Sequence, residues 1–140
     1  MHEQEGHGMV GKTIMAVYLA NDQKAIRFDT QEGDEIVAKA DGDCCSSTWI
    51  EHVEGVGALI GAKVLAVEDI EMPDLGSPDD YDVVAYYGCK ITTDKGHCIL
   101  DYRNSSNGYY GGNLSWAAEG YFYGGVYGQN VSSMVWEALQ

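Results

Sequence analysis

The residues that could carry chemistry are concentrated in two stretches of the sequence. The first contains two adjacent thiols, Cys44 and Cys45, with Asp43 before them and His52 after them. Thiol, imidazole and carboxylate are the groups of a cysteine nucleophile with its base and orienting acid. The partners of such a site are normally brought together from distant segments, and free cysteine usually packs as a small apolar residue. We therefore expect no enzymatic activity, with a cysteine–histidine activity as the minor alternative.

The second stretch, residues 103–113, has the composition of a binding loop. It combines a guanidinium group, three side-chain amides, two serines and two tyrosines with three glycines. Amides and aromatic rings suit a nucleobase, a sugar ring or a peptide, although Asn and Gly also make the turns of an ordinary surface loop. The predicted ligand-binding residues come from this loop and from an opposite wall in the first stretch: Arg103, Asn104, Ser106, Asn107, Tyr109, Tyr110, Asp43 and Trp49.

No metal or cofactor is expected. The spacing of the four cysteines, Cys44, Cys45, Cys89 and Cys98, matches none of the usual zinc-ligand patterns. The Asp-Gly-Asp run at residues 41–43 resembles the start of a calcium loop, but the later ligands of such a loop are missing. Cys89 and Cys98 do not lie opposite one another in the predicted hairpin, so no disulfide is expected between them.

The charge of the chain restricts its partners. The 140 residues carry a formal net charge of −14, which argues against binding of nucleic-acid backbone or of anionic membranes. An acidic protein can instead occupy a basic surface that normally holds nucleic acid. The sequence contains no apolar run of membrane-spanning length, and its polar first residues lack a signal core, so we expect a cytoplasmic location.

The elements that position these residues are predicted to be mainly strands. Residues 24–30 alternate, with Ile26 and Phe28 on one face and Ala25, Arg27 and Asp29 on the other, as in a half-buried strand. The other predicted strands are rich in β-branched and aromatic residues. They are Thr13–Ala20, Glu35–Ala40, Lys63–Ile70, Asp82–Thr92, Cys98–Arg103 and Leu114–Ala117, with residues 82–103 forming a hairpin that has Gly96 in its turn.

One short helix is predicted after the two adjacent cysteines. Thr48 and Glu51 have the spacing of a capping box, and Trp49, Ile50 and Val53 would share the apolar side of the helix. The predicted fold class is therefore α+β, a twisted and mainly antiparallel β-sheet with one short helix packed on it.

The sequence divides into three predicted regions. Residues 1–12 form a disordered tail, residues 13–118 a single β-rich domain, and residues 119–140 a Gly/Tyr-rich C-terminal extension. Exposed aromatic residues in the extension favour association into a homo-oligomer.

Three motifs carry a resemblance to a known family. They are DGDCCS followed by WIE within residues 41–51, ITTDKG at residues 91–96 and RNSSNGYYGG at residues 103–112. Together they resemble a small family of unknown function found largely in phages and prophage-bearing bacteria, over about residues 13–116. The resemblance implies a phage setting in the cytoplasm of a bacterial host cell, where compact acidic proteins often disarm host defences, and it implies no established activity.

Two functions follow as expectations. The first is a non-enzymatic, phage-encoded anti-defence protein that sequesters a nucleotide-type immune signal. The second is an acidic inhibitor that mimics nucleic acid and blocks a host defence protein. A nucleotide-like ligand or a host defence protein is thus the expected partner, with no direct binding to nucleic acid or membrane.

Overall fold

A computed structural model describes residues 8–42, 47–72, 83–106, 112–118 and 135–139. Within these ranges the chain forms strands and one short 3-10 helix at Val56–Ala58. The strands are β1 (Ile14–Ala20), β2 (Ala25–Thr30), β3 (Glu35–Gly42), β4 (Ser47–Glu54), β5 (Val64–Glu71), β6 (Val83–Thr93), β7 (Gly96–Ser106), β8 (Gly112–Ala118) and β9 (Trp136–Leu139).

The strands form two antiparallel sheets that share one hydrophobic core. The five-stranded sheet has the order β8-β3-β2-β1-β9, and the four-stranded sheet has the order β4-β7-β6-β5. Both sheets contribute their inward-facing side chains to a single buried cluster, as expected when two sheets pack face to face. Its largest fully buried members include Phe28, Ile14, Ile26 and Ile36 from the first sheet and Ile50, Ile91, Leu100 and Val64 from the second.

Backbone hydrogen bonds join the two sheets on both sides. On one side Thr13 forms an isolated antiparallel bridge with Lys63, next to β1 and β5. On the other side the amide of Ile50 donates to the carbonyl oxygen of Gln23 over 2.7 Å, and the Gln23 side-chain amide donates to the Ile50 carbonyl over 3.0 Å. The four-stranded sheet is therefore anchored to the five-stranded sheet through β4 and β5.

The predicted helix at Thr48 is wrong, because residues 47–54 form strand β4. Thr48 and Ile50 are buried, with exposed fractions of 4% and 0%, whereas Trp49 between them is half-buried on the other side. This alternation has the period of a strand. The Thr48 hydroxyl does not cap a helix but accepts a hydrogen bond from the Asn104 side-chain amide over 2.8 Å.

The predicted α+β class is consequently overturned. In the described part of the chain, helical structure is limited to Gly8 and the three residues Val56–Ala58, all of 3-10 type, and nearly all the rest of the regular structure is antiparallel strand. Gly55, which precedes this turn, has φ 87°, and a Cβ atom there would lie 2.6 Å from the carbonyl oxygen of His97. Gly55 therefore ends a strand at a point where two backbones approach closely.

Several strand predictions are confirmed. In β2, Ile26 and Phe28 are fully buried in the core, while Arg27 and Asp29 remain partly exposed on the outer face. The β6–β7 hairpin also forms, with Thr93 paired to Gly96 at its turn.

The hairpin register agrees with the predicted placement of the cysteines. Cys89 pairs with Leu100, and Cys98 pairs with Ile91. The two thiols are therefore diagonal neighbours on adjacent strands, and both are free and buried.

The packed structure includes residues on either side of the predicted β-rich segment. Met9 is fully buried in the core cluster. Strand β9 pairs with the edge of β1, and its Leu139 packs against the same cluster. No helix among the described residues is long and apolar enough to cross a membrane.

Candidate functional site

The outer face of the four-stranded sheet carries a row of three large side chains around Arg103. The register pairs Trp49 of β4 with Arg103 of β7, and Arg103 with Tyr86 of β6. Neighbouring strands lie about 4.8 Å apart, so the Cα atoms of Trp49 and Tyr86 are roughly 10 Å apart with Arg103 between them. All three side chains are half-buried. The row therefore presents two aromatic side chains and one guanidinium group on one face.

Arg103 is held by two carboxylates and one ring. Its Nε and Nη2 atoms donate to the two carboxylate oxygens of Asp101 over 3.3 and 3.1 Å, and its Nη1 atom lies 3.5 Å from Glu51 Oε1. Its Cζ atom stands 4.7 Å from the centre of the Tyr86 ring. The hydrogen bonds to Asp101 raise the pKa of Arg103; burial opposes this, and the charges of Asp101 and Glu51 add to it. The guanidinium group is thus fixed in a fork and permanently charged.

Trp49 is also fixed in place. Its indole Nε1 donates to Glu51 Oε1 over 3.1 Å, and Glu51 lies two residues further along the same strand. One carboxylate therefore connects the indole to the guanidinium group of Arg103. We call Trp49, Glu51, Tyr86, Asp101 and Arg103 together the Arg103 cluster.

The inner side of the same strands supports this row. Directly opposite each other, Thr48 and Asn104 form the buried 2.8 Å hydrogen bond between β4 and β7. The rings of Tyr87 and Tyr102 stack with their centres 5.2 Å apart across β6 and β7. Buried cross-strand pairs of this kind hold the register of neighbouring strands. The positions of Trp49, Arg103 and Tyr86 therefore follow from contacts on both faces of the sheet.

On the β5 side of the Arg103 cluster, apolar side chains cover the outer face of the four-stranded sheet. Gly88 pairs with Asp101 on one side and with Ile70 on the other. A Cβ atom at Gly88 would lie 2.6 Å from the Met72 sulfur and 2.7 Å from Ile70 Cγ1. Ile70 and Met72 thus occupy the space above Gly88 and border the Arg103 cluster on the β5 side.

The structure brings two of the predicted binding residues together and separates a third from them. Arg103 and Trp49 are cross-strand neighbours on the outer face. Asn104 is fully buried on the inner face, where its amide bonds Thr48. Ser106 ends β7, and only its backbone is described. The remaining predicted residues lie outside the described ranges: Asp43, Asn107, Tyr109 and Tyr110.

Three members of the cluster were missed by the sequence reasoning. Tyr86 could have been found from the predicted hairpin, because a turn at residues 93–96 sets Tyr86 opposite Arg103. Asp101 lies two residues from Arg103, and Glu51 lies two residues from Trp49. Because a strand places alternate side chains on one face, this spacing could have revealed both carboxylates. Glu51 was hidden because β4 was predicted as a helix, where positions 49 and 51 do not face each other.

The five-stranded sheet carries a second arginine in a similar setting. Arg27 donates through Nε and Nη2 to Asp29 over 3.0 and 3.1 Å. Its Cζ atom lies 4.3 Å from the centre of the Tyr18 ring and 5.5 Å from that of the Trp136 ring. Burial, the largest single influence, lowers the pKa of Arg27, but the hydrogen bond and charge of Asp29, together with the charges of Glu35 and Tyr18, raise it overall. We call Tyr18, Arg27, Asp29 and Trp136 the Arg27 cluster.

Of the groups of the minor enzymatic alternative, only His52 lies within the described part of the chain. Cys44 and Cys45 lie outside the described ranges, and His52 is exposed on β4 opposite Asp101. Burial raises the pKa of Cys98 to about 12 and raises that of Cys89 further, so these two thiols stay protonated at neutral pH. Among the described residues, no group of three or more His, Cys, Asp or Glu side chains could hold a metal ion.

Comparison with protein families gives one match. Residues 7–116 match the model of a family described as a domain of unknown function, DUF7448. The chain belongs to this family. No curated protein and no solved structure matches the sequence. The match includes every member of the Arg103 cluster, and it ends within β8, before Trp136 of the Arg27 cluster.

Proposed function

We propose that this DUF7448 member is a non-enzymatic binding protein, and that the Arg103 cluster forms its ligand-binding surface. One observation carries the proposal: two aromatic side chains flank a guanidinium group on three adjacent strands, within the family domain. Planar rings and a fixed guanidinium plane are surfaces on which a planar ligand stacks.

The proposed ligand is a nucleotide-type molecule held mainly through its base. Arg103 already pairs with Asp101 and lies within 3.5 Å of Glu51, so one positive charge faces two negative charges. A phosphate group near them would be repelled, whereas an uncharged base is not. The base would therefore stack on Trp49 and Tyr86 and direct its phosphates away from the carboxylates.

The biological setting of the proposal rests on the sequence motifs. The three motifs resemble a family found largely in phages and prophage-bearing bacteria, which supports an anti-defence protein acting in the cytoplasm of a bacterial host. Sequestration of a nucleotide-type immune signal needs a stable binding surface, and the fixed side chains around Arg103 would supply one.

Calorimetric titration tests the binding surface. The full-length protein is titrated with linear and cyclic nucleotides and with the corresponding nucleosides. Stacking on an aromatic side chain contributes about 1–3 kcal/mol per base, so Trp49→Ala and Tyr86→Ala should each weaken binding by roughly 5- to 150-fold. Nucleoside and nucleotide should bind with similar affinity.

The second sheet provides the matched control. Arg103→Lys removes the planar fork and should weaken binding, whereas Arg27→Lys makes the same change on the other sheet and should leave the affinity unchanged. Equal losses in the two lysine variants, or full binding by Trp49→Ala, would refute the assignment of the surface. Absence of binding by every compound would refute a nucleotide-type ligand.

The acidic inhibitor is the second candidate function. The net charge of −14 and the two carboxylates around Arg103 support binding to a basic surface of a host defence protein. Charge would steer this association, so its rate should fall about tenfold or more between roughly 0.05 and 0.5 M salt. An association rate that does not change with salt would contradict this candidate.

A further inference from the structure

Strand β9 completes the five-stranded sheet from outside the family domain. The family match ends at residue 116, within β8, while β9 comprises Trp136–Leu139. It pairs with β1 from Val17↔Leu139 to Ala20↔Trp136. The amide of Asn21 extends this pairing by donating to the Val135 carbonyl over 2.8 Å. The outer edge of β1 in the family domain thus accepts an additional antiparallel strand.

Two side chains of β9 recognise β1 and its neighbours, one on each face of the sheet. Trp136 packs on the outer face against a small buried cluster formed by Ala20, Ala25 and Val37. Leu139 packs on the inner face against the main core. Residues three apart in a strand point to opposite faces, so a Trp-x-x-Leu strand fits this edge. Recognition by main-chain hydrogen bonds with side-chain anchors is the mode of strand addition.

The position of β9 in the sheet allows it to come from another molecule. Strands β8 and β9 lie at the two opposite edges of the five-stranded sheet, and residues 119–134 separate them in the sequence. In the described structure β9 pairs only with β1. The same strand supplied by a second copy could make identical contacts, and exchange of an identical element between copies is an inexpensive route to a dimer.

We propose that the edge of β1 is a strand-acceptor site, and that a second copy of this chain supplies β9 to it in a strand-exchanged dimer. The partner's Trp136 would then complete the Arg27 cluster of the accepting molecule. This interaction goes beyond the proposed ligand binding, since it uses the other sheet and none of the residues of the Arg103 cluster.

Light scattering coupled to size-exclusion chromatography tests the exchange on the full-length chain. Samples are equilibrated in moderate urea and returned to buffer at increasing protein concentration, so that β9 can detach and rebind. Wild type should form a dimer whose fraction rises with concentration. The variant Trp136→Ala/Leu139→Ala loses both anchors and should form at least about tenfold less dimer. The control Glu137→Ala changes an exposed β9 residue and should match wild type.

A peptide keeps the test decisive if the double variant does not fold. A synthetic peptide of residues 132–140, added in excess to wild type, should occupy the β1 edge and suppress the dimer. The same peptide with alanine at the positions of Trp136 and Leu139 should have no effect. A wild-type protein that stays monomeric at every concentration overturns the proposal, as does a dimer that neither the peptide nor the substitutions reduce. Nucleotide titration is independent of these outcomes, so failure of one proposal does not imply failure of the other.

Discussion

Each of the two sheets carries one arginine on its outer face, and the two arginines are held in different ways. Among the described residues, Arg103 lies over one ring, that of Tyr86, and is held by the carboxylates of Asp101 and Glu51. The Glu51 side chain is 41% exposed. Arg27 contacts two rings, pairs with the carboxylate of Asp29, and is also influenced by the charge of Glu35. The two arginine side chains are about equally exposed, at 22% for Arg103 and 20% for Arg27, so the two arrangements differ in the partners that hold the guanidinium group.

The difference indicates separate roles for two similar groups. Every residue of the Arg103 cluster lies within the family match, whereas the Arg27 cluster requires Trp136 from outside it. A guanidinium group packed against a strand that comes from outside the family domain stabilises the attachment of that strand. A guanidinium group whose rings and carboxylates all lie within the family domain, as at Arg103, does not depend on that strand. We therefore expect Arg27 to contribute to stability and Arg103 to contribute to binding.

Alanine substitution of the two arginines should give the largest difference in the free energy of unfolding between matched variants of the two sheets. A partly desolvated cation–π contact contributes about 1–2 kcal/mol, and Arg27 makes two, so Arg27→Ala should lower the free energy of unfolding by about 2 kcal/mol. Arg103→Ala should lower it by about 1 kcal/mol, because Arg103 makes one such ring contact and its ion pairs, on a partly exposed sheet face, contribute little. Urea denaturation of both variants measures the difference. A larger loss in Arg103→Ala would reverse the assigned roles.

Loss of the buried Thr48–Asn104 hydrogen bond beneath the Arg103 cluster should lower the free energy of unfolding by a smaller amount than loss of Arg27. Asn104→Ala leaves the Thr48 hydroxyl without its bond and should cost about 1–2 kcal/mol. The double variant Thr48→Val/Asn104→Ala should cost less than the sum of the two single changes, since they remove one shared interaction. Stability is read from urea denaturation, and ligand affinity from calorimetry.

The affinity measurement decides between two roles for Asn104. Because its side chain faces the interior, nucleotide affinity should stay the same in Asn104→Ala wherever the protein remains folded. A loss of affinity with no loss of stability would instead assign Asn104 to the ligand, as the sequence predicted.

The raised pKa of the buried Cys98 thiol should have the smallest effect on the free energy of unfolding at neutral pH. The pKa of Cys98 is raised to about 12 in the folded protein from an ordinary value near 9. Its contribution to stability is therefore complete below pH 9 and is lost as the pH rises toward 12, by at most about 1.4 kcal/mol per pH unit.

Unfolding measured from pH 8 to 10.5 compares wild type with Cys98→Ala. The free energy of unfolding of wild type should fall more steeply with pH, whatever the offset between the two proteins at pH 8. Parallel curves would show that the thiol ionises as easily in the folded protein as in the unfolded chain.

Much of the sheet could be predicted from the sequence, because its signals are local. In β2, Ile26 and Phe28 alternate with Arg27 and Asp29, and this period alone specifies a half-buried strand. The β6–β7 hairpin is likewise set by a short turn between two runs rich in β-branched and aromatic residues. Both predictions hold in the structure.

Strand β4 shows where local signals fail. Thr48 and Glu51 have capping-box spacing, but the same residues also fit a strand, and tertiary contacts decide between the two. The deciding contacts are the buried bond from Asn104 to Thr48 and the anchoring of Ile50 by Gln23. Both join residues more than twenty positions apart, so no local pattern could reveal them. The sequence-based prediction of the Arg103 cluster missed Glu51 for the same reason, since Glu51 faces Arg103 only when residues 47–54 are a strand.

The central claim, that the outer face around Arg103 binds the ligand, is tested most directly by nuclear magnetic resonance of the three indole N–H groups. Trp49 belongs to the Arg103 cluster, Trp136 to the Arg27 cluster, and the Trp116 ring stacks on Phe28. On titration with a nucleotide, the Trp49 signal should shift to saturation, with changes at the Tyr86 and Arg103 amides, while the Trp136 and Trp116 signals stay in place. Saturable shifts at Trp136 with Trp49 unchanged, or no shift with any nucleotide, would contradict the account.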